Sequence, residues 1–298
     1  MSISMKQNTP ESQRLLVAQR HLYSQAKRWH LVRLLGAIAL EAAAPLVLLA
    51  APGVKHALEV AGGVAVLVSH LVCQRKEQDD REKAATIQEQ FDTSVFDLAW
   101  NPVLVPDKVD PEVLLAAARD FRGLHAGVRD WYGDTSAVPH PVDVLLCQRA
   151  NLVWDAQLRR RYARILRAVV LAVPAAEIVV GLATGQLLSE YFLALLLPSL
   201  PALLEGFDIA RENEEHAARK EALKAQLQGL WEGALRGESV TVEQCRRIQD
   251  AIYTLRSTGP LVLDRLYHRF RRRDEGTMRA AVEELVAAYR HSVVPAGP

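Results

Sequence analysis

LLGAIALEAAAPLVLLAA, residues 34–51, carries one charge, Glu41, in eighteen positions. A helix rises 1.5 Å per residue, so this stretch reaches about 27 Å, close to the ~30 Å hydrocarbon core of a bilayer. After Pro52-Gly53 a second apolar stretch fills residues 54–73, its charges being Lys55 and Glu59. A second pair follows about ninety residues later: residues 165–184, with Arg167 and Glu177, and residues 187–204, with Glu190. The competing arrangement is two helical hairpins buried in a soluble bundle. Soluble helices normally keep a polar face, however, and these are apolar all round. Pro45, Pro174, Pro198 and Pro201 also cost less in a packed membrane bundle than in an isolated helix. The reading is an all-α, helical membrane protein with two transmembrane hairpins.

The charges beside the spans set the orientation. Arg28 and Arg33 precede the first span, Arg75 and Lys76 follow the second, Arg159 to Arg161 and Arg164 precede the third, and Arg211 and Arg219 follow the fourth. All four clusters fall on one side, whereas the turns within the hairpins hold only Lys55. Both termini and the central region are therefore expected in the cytosol. The chain divides into an amphipathic N-terminal helix (1–32), a first hairpin (33–73), a cytosolic helical domain (74–163), a second hairpin (164–205) and a cytosolic helical C-terminal region (206–298). About thirty polar residues precede the first apolar segment and a second segment follows it at once, which is not the layout of a signal peptide.

Composition narrows the function. Thirty-six Lys and Arg against thirty-five Asp and Glu leave a net charge of +1, so no global field favours DNA or RNA, and direct binding of either is not expected. Cys73, Cys147 and Cys245 are odd in number and far apart, which argues against a disulfide framework and a structural zinc and suits a reducing cytosol. Phosphate-loop, dinucleotide, zinc-protease and nucleophile-elbow motifs are all missing. Neither an enzyme nor a cofactor is expected.

On the cytosolic side, Leu15, Leu22 and Trp29 share one face of a helix that lies on the membrane surface, on a partner, or on the protein's own domain. Ile87, Phe91, Val95 and Leu98 predict a helix ending at Asn101-Pro102. Asp110-Pro111 predicts an N-cap and first turn for a helix carrying Leu114, Phe121, Leu124, Val128 and Trp131. A third helix starts near Val142 and meets no breaker before the third span, forming a rod from cytosol to bilayer. The polar run 211–228 continues the fourth span as a stalk. Thr241 with Gln244 is a capping-box pattern for a helix that Gly259-Pro260 ends, and a last helical region runs to about Tyr289.

Two groups are candidates for function. A carboxylate in hydrocarbon must face a bundle interior, a water path or an oligomer contact, so Glu41 and Glu177 are candidate pore or assembly residues, while Glu59 and Glu190 can snorkel outward. In several copies such glutamates form acidic rings that favour cations. The second group is CQRANLVWD at 147–155, where Gln148, Asn151 and Asp155 share a helical face and Arg149 lies beside it. With Trp154 and the nearby Trp131 and Tyr132, this set either stacks a base and holds a phosphate or makes hydrogen bonds between helices. The run Arg271 to Arg273 reads as a solvated or headgroup-facing surface.

Three further motifs surround the hairpins together with the CQRANLVWD already quoted: AQRHLYSQAKR (18–28), AATIQEQFDTSVFDLAWN (84–101) and RDWY (129–132). In combination they resemble the SMODS-associating four-transmembrane effectors over most of the chain. The resemblance implies a multi-pass protein of the bacterial inner membrane serving antiphage defence. A partner nucleotidyltransferase makes a cyclic oligonucleotide on infection, and the effector assembles, as a homo-oligomer, or opens in the lipid bilayer and arrests the host. No catalytic residues come with it. The alternative is a non-conducting membrane scaffold or receptor that recruits a partner through its cytosolic helices.

Overall fold

A computed structural model describes residues 1–50, 55–122, 125–183 and 197–293. Every regular element among them is helical: α1 (Ile3–Lys6), α2 (Pro10–Ala50), α3 (Lys55–Phe96), α4 (Pro111–Asp120), α5 (Val142–Ala183), α6 (Leu197–Leu235), α7 (Val242–Thr258) and α8 (Asp264–Val293), with a 3-10 turn at His125–Val128. The all-α class expected from the sequence is what the described residues form.

Four helices dominate, with 41, 42, 42 and 39 residues in α2, α3, α5 and α6. At 1.5 Å per residue each is about 60 Å long, twice what a bilayer core requires. They pair side by side, α2 with α3 and α5 with α6. One end of this set is wrapped by the shorter helices: α4 packs on α2, α7 against α3, α5 and α6, and α8 against α5 and α6. The core sits at that end, where Leu16, Ile87, Phe91, Leu145, Leu227 and Ile252 are sealed from solvent.

Beyond that end the long helices carry exposed apolar residues among those described. On α5, Leu158, Tyr162 and Ala163 are buried, whereas Val169 is 52% exposed, Leu171 72% and Leu182 78%. The change falls at 163–165, where the sequence places the start of the third span. Leu35 on α2, Val64, Leu67 and Leu71 on α3, and Leu204 and Phe207 on α6 are likewise exposed. Val142–Ala183 is the one helix among the described residues that holds a stretch long and apolar enough to cross a membrane, by length and composition. The other three apolar stretches run into residues 51–54 and 184–196, outside those described.

Local chemistry explains the ends. Thr9 Oγ1 accepts the Ser12 backbone N–H at 3.3 Å and Pro10 occupies the first helical position, so α2 starts where capping and a fixed φ coincide. From there it runs unbroken through the first apolar stretch, and its N-terminal Leu15, Leu16, Ala18, Leu22 and Ala26 are buried in the protein's own core. α3 stops at Phe96, earlier than the Asn101-Pro102 expected. Asp97 adopts a left-handed φ of 54°, and the Leu98 N–H returns to the Thr93 carbonyl at 3.0 Å, closing a Schellman-type end with Leu98 tucked into the core. Lys6 pairs with the Asp97 carboxylate there. The capping box on α7 is present, with Thr241 Oγ1 accepting from Gln244 N at 3.2 Å and Gln244 Oε1 accepting from Thr241 N at 2.8 Å.

One expected helix is shorter than its apolar spacing suggested. Asp110 occupies the N-cap of α4, but its side chain makes no cap hydrogen bond, and the helix ends at Asp120 instead of running to Trp131. Gly123 and Gly127 each disfavour helix by about 1 kcal/mol relative to Ala. Val128 reaches the core from the end of the 3-10 turn, and Trp131 and Tyr132 from irregular chain: Trp131 meets Phe91 edge-on at 6.5 Å between centroids, and Tyr132 stacks on Phe91 at 6.1 Å.

Candidate functional site

The 147–155 segment lies within α5 on the enclosed end, and its polar residues face different neighbours. Gln148 is buried, its amide donating to the Cys245 carbonyl at 2.9 Å and to Gln249 Oε1 at 3.2 Å, both on α7, while its own Oε1 has no partner. Asp155, two turns on, accepts from Arg159 Nε at 2.9 Å and pairs with Lys220 Nζ of α6 at 2.8 Å. Burial alone would raise this carboxyl, but Arg159 and Lys220 hold it well below the usual carboxylate range. Trp154 packs with Leu158 and Tyr162, and Asn151 is half-buried. Arg149, also half-buried, has a partnerless Nε, and desolvation lowers its affinity for the proton. The face shared in sequence thus bridges α5 to α7 at one end and to α6 at the other.

Glu177 lies beyond the boundary on α5 and accepts from Ser199 Oγ of α6 at 3.3 Å, which turns it toward the paired helix. Glu41 and Glu59 fall in α2 and α3 with side chains outside the described residues, and Glu190 lies outside them entirely.

Two groupings were not singled out in the sequence. The first is a buried charge network. Glu89 and Asp92 of α3 are fully enclosed. Arg246 donates to Glu89 at 2.6 Å, Arg256 donates to Asp92 at 2.9 Å, Gln249 reaches Glu89 at 2.8 Å and Asp92 at 3.1 Å, and the Tyr132 hydroxyl donates to Asp92 at 2.6 Å. Burial and the neighbouring Asp92 charge raise the Glu89 carboxyl above its ordinary value. Burial would lower the Arg256 guanidinium, and the Asp92 and Glu89 charges outweigh it. The carboxylates thus bond α7 to α3 and face no open space. The only available signal was two acids on an apolar stripe; their α7 partners lie about 160 residues away in sequence.

The second is a cleft of about 470 Å³ where α2, α3, α6 and the chain after α7 meet. His30 Nδ1 lies 3.2 Å from Glu77 Oε1, and Arg33 reaches Glu77 at 3.6 Å and Glu205 at 3.7 Å. Burial would raise the Glu77 carboxyl; the His30 hydrogen bond with the Arg33 and Arg81 charges outweighs it and holds it low. Arg81 donates to the Gly259 carbonyl at 3.4 Å, and His216 lines the inner end. Arg33 immediately precedes the first apolar stretch and Glu205 immediately follows the fourth, so this polar layer ties three long helices where they leave the enclosed body.

Nothing in these groupings resembles a nucleophilic centre. Burial pushes the Cys245 thiol up to about 12 and raises that of Cys147 well above its ordinary value, which keeps both protonated and unreactive. Among the described residues no three His, Cys, Asp or Glu side chains are grouped to hold a metal.

Comparison with known proteins agrees with the helical layout. A protein of Bacillus cereus strain VD146, described as a probable CBASS effector molecule, is 29% identical over 280 residues, covering 92% of this chain and 94% of its own length. No solved structure matches. The family model of the SMODS-associating 4TM effector domain matches residues 1–285, and the chain belongs to that family.

Proposed function

We propose that this chain is a non-enzymatic membrane effector of a bacterial antiphage system signalling through cyclic oligonucleotides. It crosses the inner membrane four times with both termini in the cytosol, and on activation it assembles as a homo-oligomer and opens or disrupts the bilayer. The observation that carries this reading is the two-part character of the long helices. Each contributes to a closed, hydrogen-bonded body at one end and continues without a break toward an apolar stretch of the sequence, where described side chains such as Leu35, Leu67, Leu171 and Leu204 are exposed. Such surface is what lipid covers, and an unbroken rod moves its membrane half whenever the body shifts. Membership of an effector family and likeness to a probable CBASS effector support the signalling context.

The test is dye-reported membrane potential in cells expressing the protein with and without a co-expressed cyclic-nucleotide synthase from a neighbouring locus. Depolarisation only with an active synthase is expected. Intact potential, with the protein in the membrane and the nucleotide present, would instead favour the non-conducting scaffold. Glu41→Ala and Glu177→Ala are each expected to weaken depolarisation at unchanged expression. Full toxicity in both variants removes the pore role from these carboxylates.

A further inference from the structure

The first turns of α8 bring a run of arginines to the level where the long helices change from buried to exposed. Leu266 and Phe270 pack with Leu158, Tyr162 and Ile209, and Leu166 joins the same cluster. Three residues past Leu166 on α5, Val169 is already 52% exposed, and on α6 Phe207 is 50% exposed two residues before the buried Ile209. Asp264, the first residue of α8, pairs with Lys27 of α2 at 2.6 Å. The start of α8 therefore joins the first hairpin to the second beside their apolar stretches. From there the helix runs away from that level: Tyr289 near its far end meets Trp231 at 5.9 Å between ring centroids, and Trp231 lies about 33 Å along α6 from Ile209.

The charge at that level is of one sign. Residues 264–273 read DRLYHRFRRR, five arginines and one acid, and the acid is the one held by Lys27. Arg265 and Arg269 are exposed and stand one helical turn apart, beside the packed Leu266 and Phe270. α5 adds Arg161, whose guanidinium lies 5.1 Å over the Phe270 ring, and the exposed Arg164, and it carries no acid between Asp155 and Glu177. Asp274 and Glu275 follow in the next turn of α8, farther from the boundary. The acids of α6 are engaged elsewhere. Asp208, Glu212 and Glu215 line the cleft against α2 and α3, which no described residue of α5 or α8 borders, and Glu214 is paired with Arg167.

We propose that the first turns of α8 are a docking surface for anionic phospholipid headgroups, which fasten the junction of the two hairpins to the cytosolic leaflet. Guanidinium groups suit phosphate because their planar fork can donate two parallel hydrogen bonds to it. Basic residues gain from an anionic leaflet only within about a Debye length of it, ~8 Å at physiological ionic strength. Arg265 and Arg269, beside the boundary cluster, meet that condition. Arg290, exposed on the same helix, lies about 32 Å beyond Arg269 and does not. The proposal rests on the membrane-spanning reading above, because a bilayer around the apolar stretches is what sets headgroups at this level.

The full chain is reconstituted in phosphatidylcholine nanodiscs with a rising fraction of phosphatidylglycerol. Two quantities are followed: the melting temperature, and the lipid that stays bound on transfer to detergent, counted by native mass spectrometry. The parent chain is expected to melt higher as phosphatidylglycerol rises and to retain it in preference to phosphatidylcholine. Both effects should shrink in about 1 M salt, where the Debye length is about 3 Å. Each arginine at an anionic surface is worth about a fivefold change in affinity, so Arg265→Gln with Arg269→Gln should weaken phosphatidylglycerol retention by about 25-fold. Arg265→Lys with Arg269→Lys, which keeps the charge, should hold most of it, and Arg290→Gln should hold all of it. Equal retention of the two lipids, or an undiminished preference in the double glutamine variant, overturns the proposal. So does a preference that inorganic phosphate abolishes at matched ionic strength, which would assign the arginines to a free anion. Alkaline carbonate treatment of vesicles separates this failure from that of the spanning reading. A chain that stays in the vesicles without preferring phosphatidylglycerol refutes the headgroup surface alone, whereas one extracted without detergent refutes the spanning arrangement and this surface with it.

Discussion

Asp92 accepts hydrogen bonds from Tyr132, Gln249 and Arg256 in a place with no solvent contact. Desolvated charges of this kind are stable only as a set, and deleting one partner strands the other, typically at about 3–5 kcal/mol. Arg256→Met is therefore expected to lower stability by about 3–5 kcal/mol, read as a large fall in the melting temperature of detergent-purified protein. Exposed Arg211→Ala serves as the reference, and an equal effect from the two would show that the network contributes nothing special. A second expectation concerns pH. The His216 imidazole is held near 4, against an ordinary histidine value of about 6.5. Between these values the unfolded chain takes up a proton that the folded chain refuses. Stability from this group is thus complete above about 6.5 and lost as pH falls toward 4. His21 is lowered as well, chiefly by burial, and adds in the same direction. His216→Gln should flatten, without abolishing, the fall in melting temperature between about pH 7 and pH 5; an unchanged slope would refute the assignment. Neither group was legible beforehand, because a single sequence shows an acid or a histidine and not the cation that folding brings beside it.

Helices were legible where their signals were local. The Thr241 and Gln244 pair lies within one turn and could be read as a capping box directly. The start of α5 at Val142 and its course up to the third apolar stretch followed from the lack of a breaker before it, and the helix continues past Pro174 within that stretch. What misled was apolar spacing in the segment after α4: Phe121, Val128 and Trp131 do face the core, but from outside any α-helix, because burial requires only that a side chain reach the interior. Likewise Asp97, without the glycine that usually marks a helix end, takes up the left-handed turn with Lys6 beside its carboxylate. The unbroken course of α5 has a consequence for function. A proline in a helix interior removes a hydrogen bond and costs about 3 kcal/mol or more. Arg164→Pro, at the point where burial changes to exposure, should uncouple the membrane half from the body. Synthase-dependent depolarisation is expected to be lost while the protease-resistant body keeps its size, with Arg164→Ala behaving as the parent. Normal depolarisation in the proline variant would mean that no signal travels along this rod.

The arrangement of the chain across the bilayer depends on charge that is invisible in any single contact. Basic residues crowd the ends of the apolar stretches that adjoin the closed body, and several of them, including Arg33, Arg159, Arg160 and Arg167, make ion pairs there. Moving that body through hydrocarbon would require stripping water from all of them, whereas the sequence linking the paired apolar stretches, 52–55 and 185–186, holds only Lys55. The turns should therefore be the external points of the molecule and the N-terminus internal. The chain's own thiols permit a simple check, since Cys73, Cys147 and Cys245 are all buried and should contribute little background. Single cysteines at Gly53→Cys and Gly185→Cys are expected to react with a membrane-impermeant maleimide in cells whose outer membrane has been opened. Ser2→Cys, half-buried at the N-cap of α1, should react only after the inner membrane is lysed. If Ser2→Cys labels first and the two turns are protected, the orientation is inverted. If all three label together in intact spheroplasts, the closed body does not sit in a sealed cytosol and the four-span arrangement fails with it.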